Sequence, residues 1–123
     1  MINLFGSDVG DEELQELSDC FSGQWLGAGP KTAEFEQKFG EKIGNSNFLF
    51  LNSGSNSLQM AVRLLDLPKG SEIILPAYTW IACANAVVIN GLKPVFCDVD
   101  ANTCNVRAED VEKKIGPNTR AVM

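Results

Sequence analysis

Asn52-Ser53-Gly54-Ser55-Asn56-Ser57 stands between the apolar run Phe48-Leu49-Phe50-Leu51 and a stretch where Leu58, Ala61, Val62 and Leu65 recur at helical spacing. The four-residue run, rich in phenylalanine, reads as a short strand. The pattern therefore predicts a strand over 48–51, a turn on Gly54 and a helix from about 55 to 67. The first N–H groups of a helix have no internal partners, and the macrodipole makes that end partly positive. Only small or polar side chains occupy 53, 54, 55 and 57, so a phosphate could approach those amides. The dipole alone supplies about 0.3–2 kcal/mol, so a working site needs further groups. A serine cap with a glycine turn fits the same letters, and the rest of the chain has to decide.

Downstream, Glu72-Ile73-Ile74-Leu75-Pro76 reads as a second strand, and Pro94 to Val99 as a third. Thr119 to Met123 begins a fourth. Between them lie Ile81 to Ile89, apolar on nearly every side, and a charged helix over 107–115 with Val111 and Ile115 turned inward. A helix apolar all round belongs between layers of a larger protein. Upstream, residues 1–10 read as a loose arm, and Asp11 to Phe21 as a helix with acidic residues at its start. Trp25-Leu26-Gly27-Ala28-Gly29-Pro30 reads as a loop. Thr32 is the expected cap of a helix that buries Phe35, Phe39 and Ile43 and stops at Gly44. Strands and helices alternating at this spacing predict an α/β fold with a mainly parallel sheet covered on both faces. Ligands gather at the carboxyl ends of such strands. The turns at 52–55, 76–80 and 98–102 are all expected there.

Composition removes several function classes. The chain has 123 residues, 45% hydrophobic and 21% charged, the balance of a globular protein. A net charge of −6 with scattered lysines and arginines argues against a nucleic-acid face. No charged leader and no apolar run of about 18 residues is present, so the expectation is cytoplasmic with no membrane partner. Cys20, Cys83, Cys97 and Cys104 form no CxxC pair and there is no histidine, so no metal site is expected. Without histidine, Ser-His and Cys-His nucleophile pairs are excluded within these residues.

The segments W-L-G-A-G-P with F-E (25–36), N-S-G-S-N-S-L (52–58), L-P-A-Y-T-W-I-A (75–82), G-L-K-P-V-F-C-D-V-D (91–100) and T-R-A-V (119–122) resemble, in order and spacing, the DegT/DnrJ/EryC1/StrS family. These are pyridoxal-phosphate-dependent sugar aminotransferases of the aspartate-aminotransferase fold. The resemblance implies a three-layer, truncated PLP fold type I large domain, with residues 1–22 as arm and helix and 23–123 as the first part of that domain. It implies pyridoxal 5'-phosphate (PLP) as cofactor, its phosphate on Gly54, Ser55 and Asn56 and its ring face under Trp80. Offset stacking adds about 0.5–1.5 kcal/mol to burial. Trp25 and Gly27 would border the substrate end. Asp98 and Asp100 read as turn and cap residues. For the whole enzyme the implied partners are an amino-acid donor, a keto-sugar nucleotide and a second copy of the chain.

None of the chain's lysines matches the family's Schiff-base lysine by motif, and the resemblance places that residue beyond Met123. The expectation is thus an amino-terminal fragment with the phosphate turn and the stacking residue but no catalytic residue. A pyridoxal-dependent sugar dehydratase would share this half. A non-catalytic, self-associating fragment and a generic nucleotide binder are the remaining readings.

Overall fold

Three acidic residues, Asp11, Glu12 and Glu13, open the first helix, α1 (Asp11–Ser22), where the macrodipole favours negative charge. Glu13 Oε2 accepts the Gly10 N–H at 2.7 Å, and that bond holds its carboxyl below the usual glutamate value. The computed structural model describes residues 6–123, so the reading of 1–10 as an arm falls partly outside the described residues. Contacts separate two compact units, one reaching to Phe50 and one running from Leu51 to Met123.

In the first unit the second helix, α2 (Pro30–Ile43), has Gly29 as its N-cap and Pro30 at its first position. Thr32 lies inside the first turn, so the expected threonine cap is wrong. Proline's missing N–H costs nothing at that position and its fixed φ suits the helix. Gly44 ends α2 in the left-handed region at φ +68°, as the sequence predicts. Phe35 and Phe39 stack with ring centroids 5.6 Å apart, and Phe48 lies 4.7 Å from Phe39. Phe50 meets Phe35 edge-on at 5.2 Å.

The expected strand over 48–51 does not form. The Phe50 N–H donates to Glu36 Oε1 at 2.8 Å, and the phenylalanines pack on α2 instead. A strand needs a neighbour for its backbone groups, and none of the described strands pairs with this run.

Gly40 is the buried residue of α2, and a Cβ there would stand 2.7 Å from the Asn45 carbonyl oxygen. Backbone cannot yield cheaply at that distance. Gly40→Ala is expected to destabilise the first unit by about 1–3 kcal/mol despite alanine's better helix propensity. Urea melts followed by circular dichroism check this, and an unchanged midpoint would contradict it.

The second unit runs α3 (Gly54–Leu64), β1 (Glu72–Pro76), α4 (Ile81–Ile89), β2 (Lys93–Cys97), α5 (Ala108–Glu112) and β3 (Thr119–Val122). All strand pairs are parallel, in the order β2-β1-β3, with Ile74 opposite Val95 on one side and Val122 on the other. The central strand is the most buried: Ile73, Ile74 and Leu75 are at most 1% exposed. Val62 of α3, Ala86 and Val87 of α4, Ile73 and Leu92 close the core. Helix α4 matches its predicted limits, but its outer residues Ile81, Val88 and Ile89 are exposed. α5 is shorter than predicted and Ile115 points outward. Its end tightens into three-residue steps, Lys114 N–H to Val111 O and Ile115 N–H to Glu112 O. Pro117 follows, which disfavours helical backbone at Gly116.

Asp100 is a turn residue, as expected. Its Oδ1 accepts the N–H groups of Asn102 and Thr103 at 2.9 and 3.0 Å. Those two bonds hold its carboxyl below the ordinary aspartate value. Because the folded value is the lower one, the turn's contribution is complete above the ordinary value and is lost as pH falls through the folded one. Amide exchange at Asn102 and Thr103 is therefore expected to accelerate at acid pH. Rates that track only the intrinsic pH dependence would count against this.

Candidate functional site

Ser53 precedes α3 in extended backbone, φ −163° and ψ 156°. Its hydroxyl accepts the Asn56 N–H at 3.2 Å and its carbonyl accepts the Ser57 N–H at 3.0 Å. The N–H groups of Gly54 and Ser55 have no acceptor among the described residues. A Cβ built on Gly54 would meet nothing within 4 Å, so the space before this turn is open. The three candidate residues thus differ. Gly54 and Ser55 offer bare donors, whereas the Asn56 N–H is shared with Ser53 and its side chain donates to Asn52 Oδ1 at 2.6 Å. An eleven-residue helix supplies a dipole behind those donors.

Trp80 is the N-cap of α4, at the carboxyl end of β1, where the Ala77 N–H donates to Cys97 O at 2.8 Å. The indole is 75% exposed and is no part of the core of the described residues. Next to it, Thr79 Oγ1 lies 3.5 Å from Cys83 Sγ. Trp80 follows the carboxyl end of a strand, where the sequence places it. Ser55 does not, because no strand precedes α3 among the described residues. That residue is set by α3 instead, whose exit loop reaches the amino end of β1, with Gly70 N–H on Gly91 O and Lys93 N–H on Ser71 O. α4 likewise returns the chain to the amino end of β2. A cavity of about 440 Å³ beside α3 is lined by Asn52, Asn56, Gln59, Arg63, Ile89 and Asn90; Trp80 is not among its walls.

Trp25 and Gly27 belong to the first unit. The Trp25 indole N–H donates to Ala28 O at 2.9 Å, folding the ring onto its own loop. A Cβ on Gly29 would lie 2.6 Å from that ring, whereas one on Gly27 would make only ordinary contact at 3.8 Å. Gly29 is therefore the glycine this loop needs.

Residues 7–123 match the DegT/DnrJ/EryC1/StrS aminotransferase family. The chain belongs to this family. Across its whole length it is 42% identical to a dTDP-4-dehydro-2,3,6-trideoxy-D-glucose 4-aminotransferase of Saccharopolyspora spinosa, covering 32% of that protein. The PLP form of the sugar aminotransferase Spr1654 from Streptococcus pneumoniae superposes with a TM-score of 0.91 at 28% identity, over 98% of this chain and 31% of that one. A GDP-4-keto-6-deoxy-D-mannose-3-dehydratase of E. coli with bound hydrated PLP gives 0.87 at 27% identity, over 99% of this chain and 33% of that one. The chain spans about a third of the length of these relatives. Its parallel sheet and helices are thus part of the PLP fold type I large domain.

The family's cofactor carries a phosphate and an aromatic ring, and both have something to meet here. Bare Gly54 and Ser55 amides suit a phosphate, and the exposed Trp80 indole suits a ring face. No helix is long and apolar enough to cross a membrane among the described residues.

Proposed function

We propose that this chain is the part of a PLP-dependent aminotransferase that receives the cofactor's phosphate at Gly54, Ser55 and Asn56 and one ring face at Trp80. Bound PLP would supply the electron sink for moving an amino group from an amino acid to a keto-sugar nucleotide. The chain's own share is binding: the α3 amides hold the phosphate, and the indole orients the ring and sheds water from one side of it. The observation that carries this reading is the pair of unpartnered amides at Gly54 and Ser55. Membership of a family whose solved members include PLP forms supports PLP as the ligand of those donors. Trp25 and Gly27 at the substrate end, and residues 23–123 as one piece of a larger PLP-binding domain, belong to the same proposal.

The experiment is a titration of the chain with PLP and, separately, with ATP, read by tryptophan fluorescence. PLP is expected to quench a signal that disappears in Trp80→Ala, and ATP to leave it unchanged. Equal quenching by both would favour a generic nucleotide site, and no PLP response would remove cofactor binding. A sugar dehydratase is the second reading, favoured by the TM-score of 0.87 to the E. coli enzyme. Identity of 42% to an aminotransferase weighs for the first. Full-length protein given glutamate and a 4-keto sugar nucleotide separates them: amino-sugar product supports the first, a deoxygenated sugar the second.

A further inference from the structure

Asn90 reads in the sequence as a stop signal before Gly91. In the structure it does more. Its partly buried Nδ2 donates to Ala86 O of its own helix at 2.8 Å and to Gln59 O, in the middle of α3, at 3.1 Å. We propose that Asn90 is a positioning residue: its amide locks α4 against α3 and so fixes the Gly54–Ser55 turn relative to the Trp80 indole. The proposal rests on the cofactor reading above.

The remaining contact between these helices is apolar. Val62 and Leu58 of α3 meet Ala86 and Val87 of α4 in the core cluster. Apolar contact is non-directional, and alanines leave shallow ridges that resist sliding weakly. A hydrogen bond is directional, so the Asn90–Gln59 pair is what selects one axial register. That register matters because both proposed ligand groups sit at helix starts. α3 begins at Gly54 and α4 at Ile81, next to Trp80. Sliding one helix by one turn would displace its start by about 5.4 Å, more than a ligand gripped at phosphate and ring together tolerates. Asn90 lies at the other end of α4 from Trp80, about 15 Å away along the axis at 1.5 Å per residue. An effect on Trp80 must therefore travel through the helix pairing.

The test compares the whole chain with Asn90→Ala and Asn90→Asp, the latter setting a carboxylate against two carbonyls. Without ligand, nuclear magnetic resonance is expected to show shifted or broadened signals for the Gly54 and Ser55 amides and the Trp80 indole, with Trp25 unchanged and helical circular dichroism retained. With ligand, PLP affinity is expected to fall by about tenfold while inorganic phosphate binds within about twofold of wild type. Unmoved Gly54, Ser55 and Trp80 signals would overturn the proposal whatever the ligands do. So would parallel loss of PLP and phosphate binding, since that marks general unfolding of the pair. If wild type binds no PLP, the cofactor reading falls, and the ligand-free signals still decide whether Asn90 sets the register.

Discussion

Ser55→Asp is expected to stabilise α3 while removing PLP binding. The two effects have opposite sign for one reason. A carboxylate in the first turn of a helix gains about 0.3–1 kcal/mol from the macrodipole. The same carboxylate, about 4 Å from a phosphate, meets repulsion of about 1 kcal/mol per charge pair in water and about 4 at the effective dielectric of a protein surface. PLP affinity should therefore fall by tenfold to about a thousandfold, and the substitution also removes the Ser55 hydroxyl. A thermal melt and a PLP titration on the same sample check both halves. A variant that is less stable and binds worse would show only that the turn was damaged. One that is more stable and binds PLP normally would place the phosphate elsewhere.

Ile74→Ala is the second large effect. Ile74 is fully buried in the middle strand, with Val95 and Val122 as its neighbours across the sheet. Truncation removes its apolar contacts and leaves a cavity on one face of the central strand, whose backbone is held on both sides by the ladder. Such changes cost about 2–5 kcal/mol. The unit from Leu51 to Met123 has a total stability of about 4–11 kcal/mol by size. The variant is expected to lose a large share of it, and to show near-complete loss of the urea transition if the wild type sits at the low end. Phe96→Leu, at a residue that is half exposed on the adjacent strand, is the control and should cost under about 1.5 kcal/mol. Equal effects at both sites would mean that the sheet interior is not the core.

Elements whose signals are local were legible in the sequence. The limits of α4 follow from Trp80, Asn90 and Gly91, and the end of α2 follows from Gly44, the one residue type at ease at its φ. β1 was legible because the short apolar run Ile73-Ile74-Leu75, closed by Pro76, has no room to be a helix. Misreadings came where the outcome depends on a partner. Phe48 to Leu51 carries every strand feature except a neighbour, and its phenylalanines satisfy themselves on α2. The cap of α2 was misplaced because Thr32 was weighed above Pro30, although proline at the first position is the stronger mark. In the candidate site, the openness of the 53–56 turn was readable from small side chains. Unequal availability of its three amides was not, since that depends on the Ser53 hydroxyl and on Asn52. Asn90 was missed because an asparagine before glycine carries the same letters whether it ends a helix or ties two together.

The central claim is that the Gly54 and Ser55 amides take the cofactor's phosphate. Titrating ¹⁵N-labelled chain with PLP and following the amide resonances tests it most directly. The account predicts that Gly54 and Ser55 move first and furthest, with the Trp80 indole following and the Gly29 region of the first unit still. Saturable shifts confined to lysine-bearing surfaces, with Gly54 and Ser55 unmoved, would contradict it.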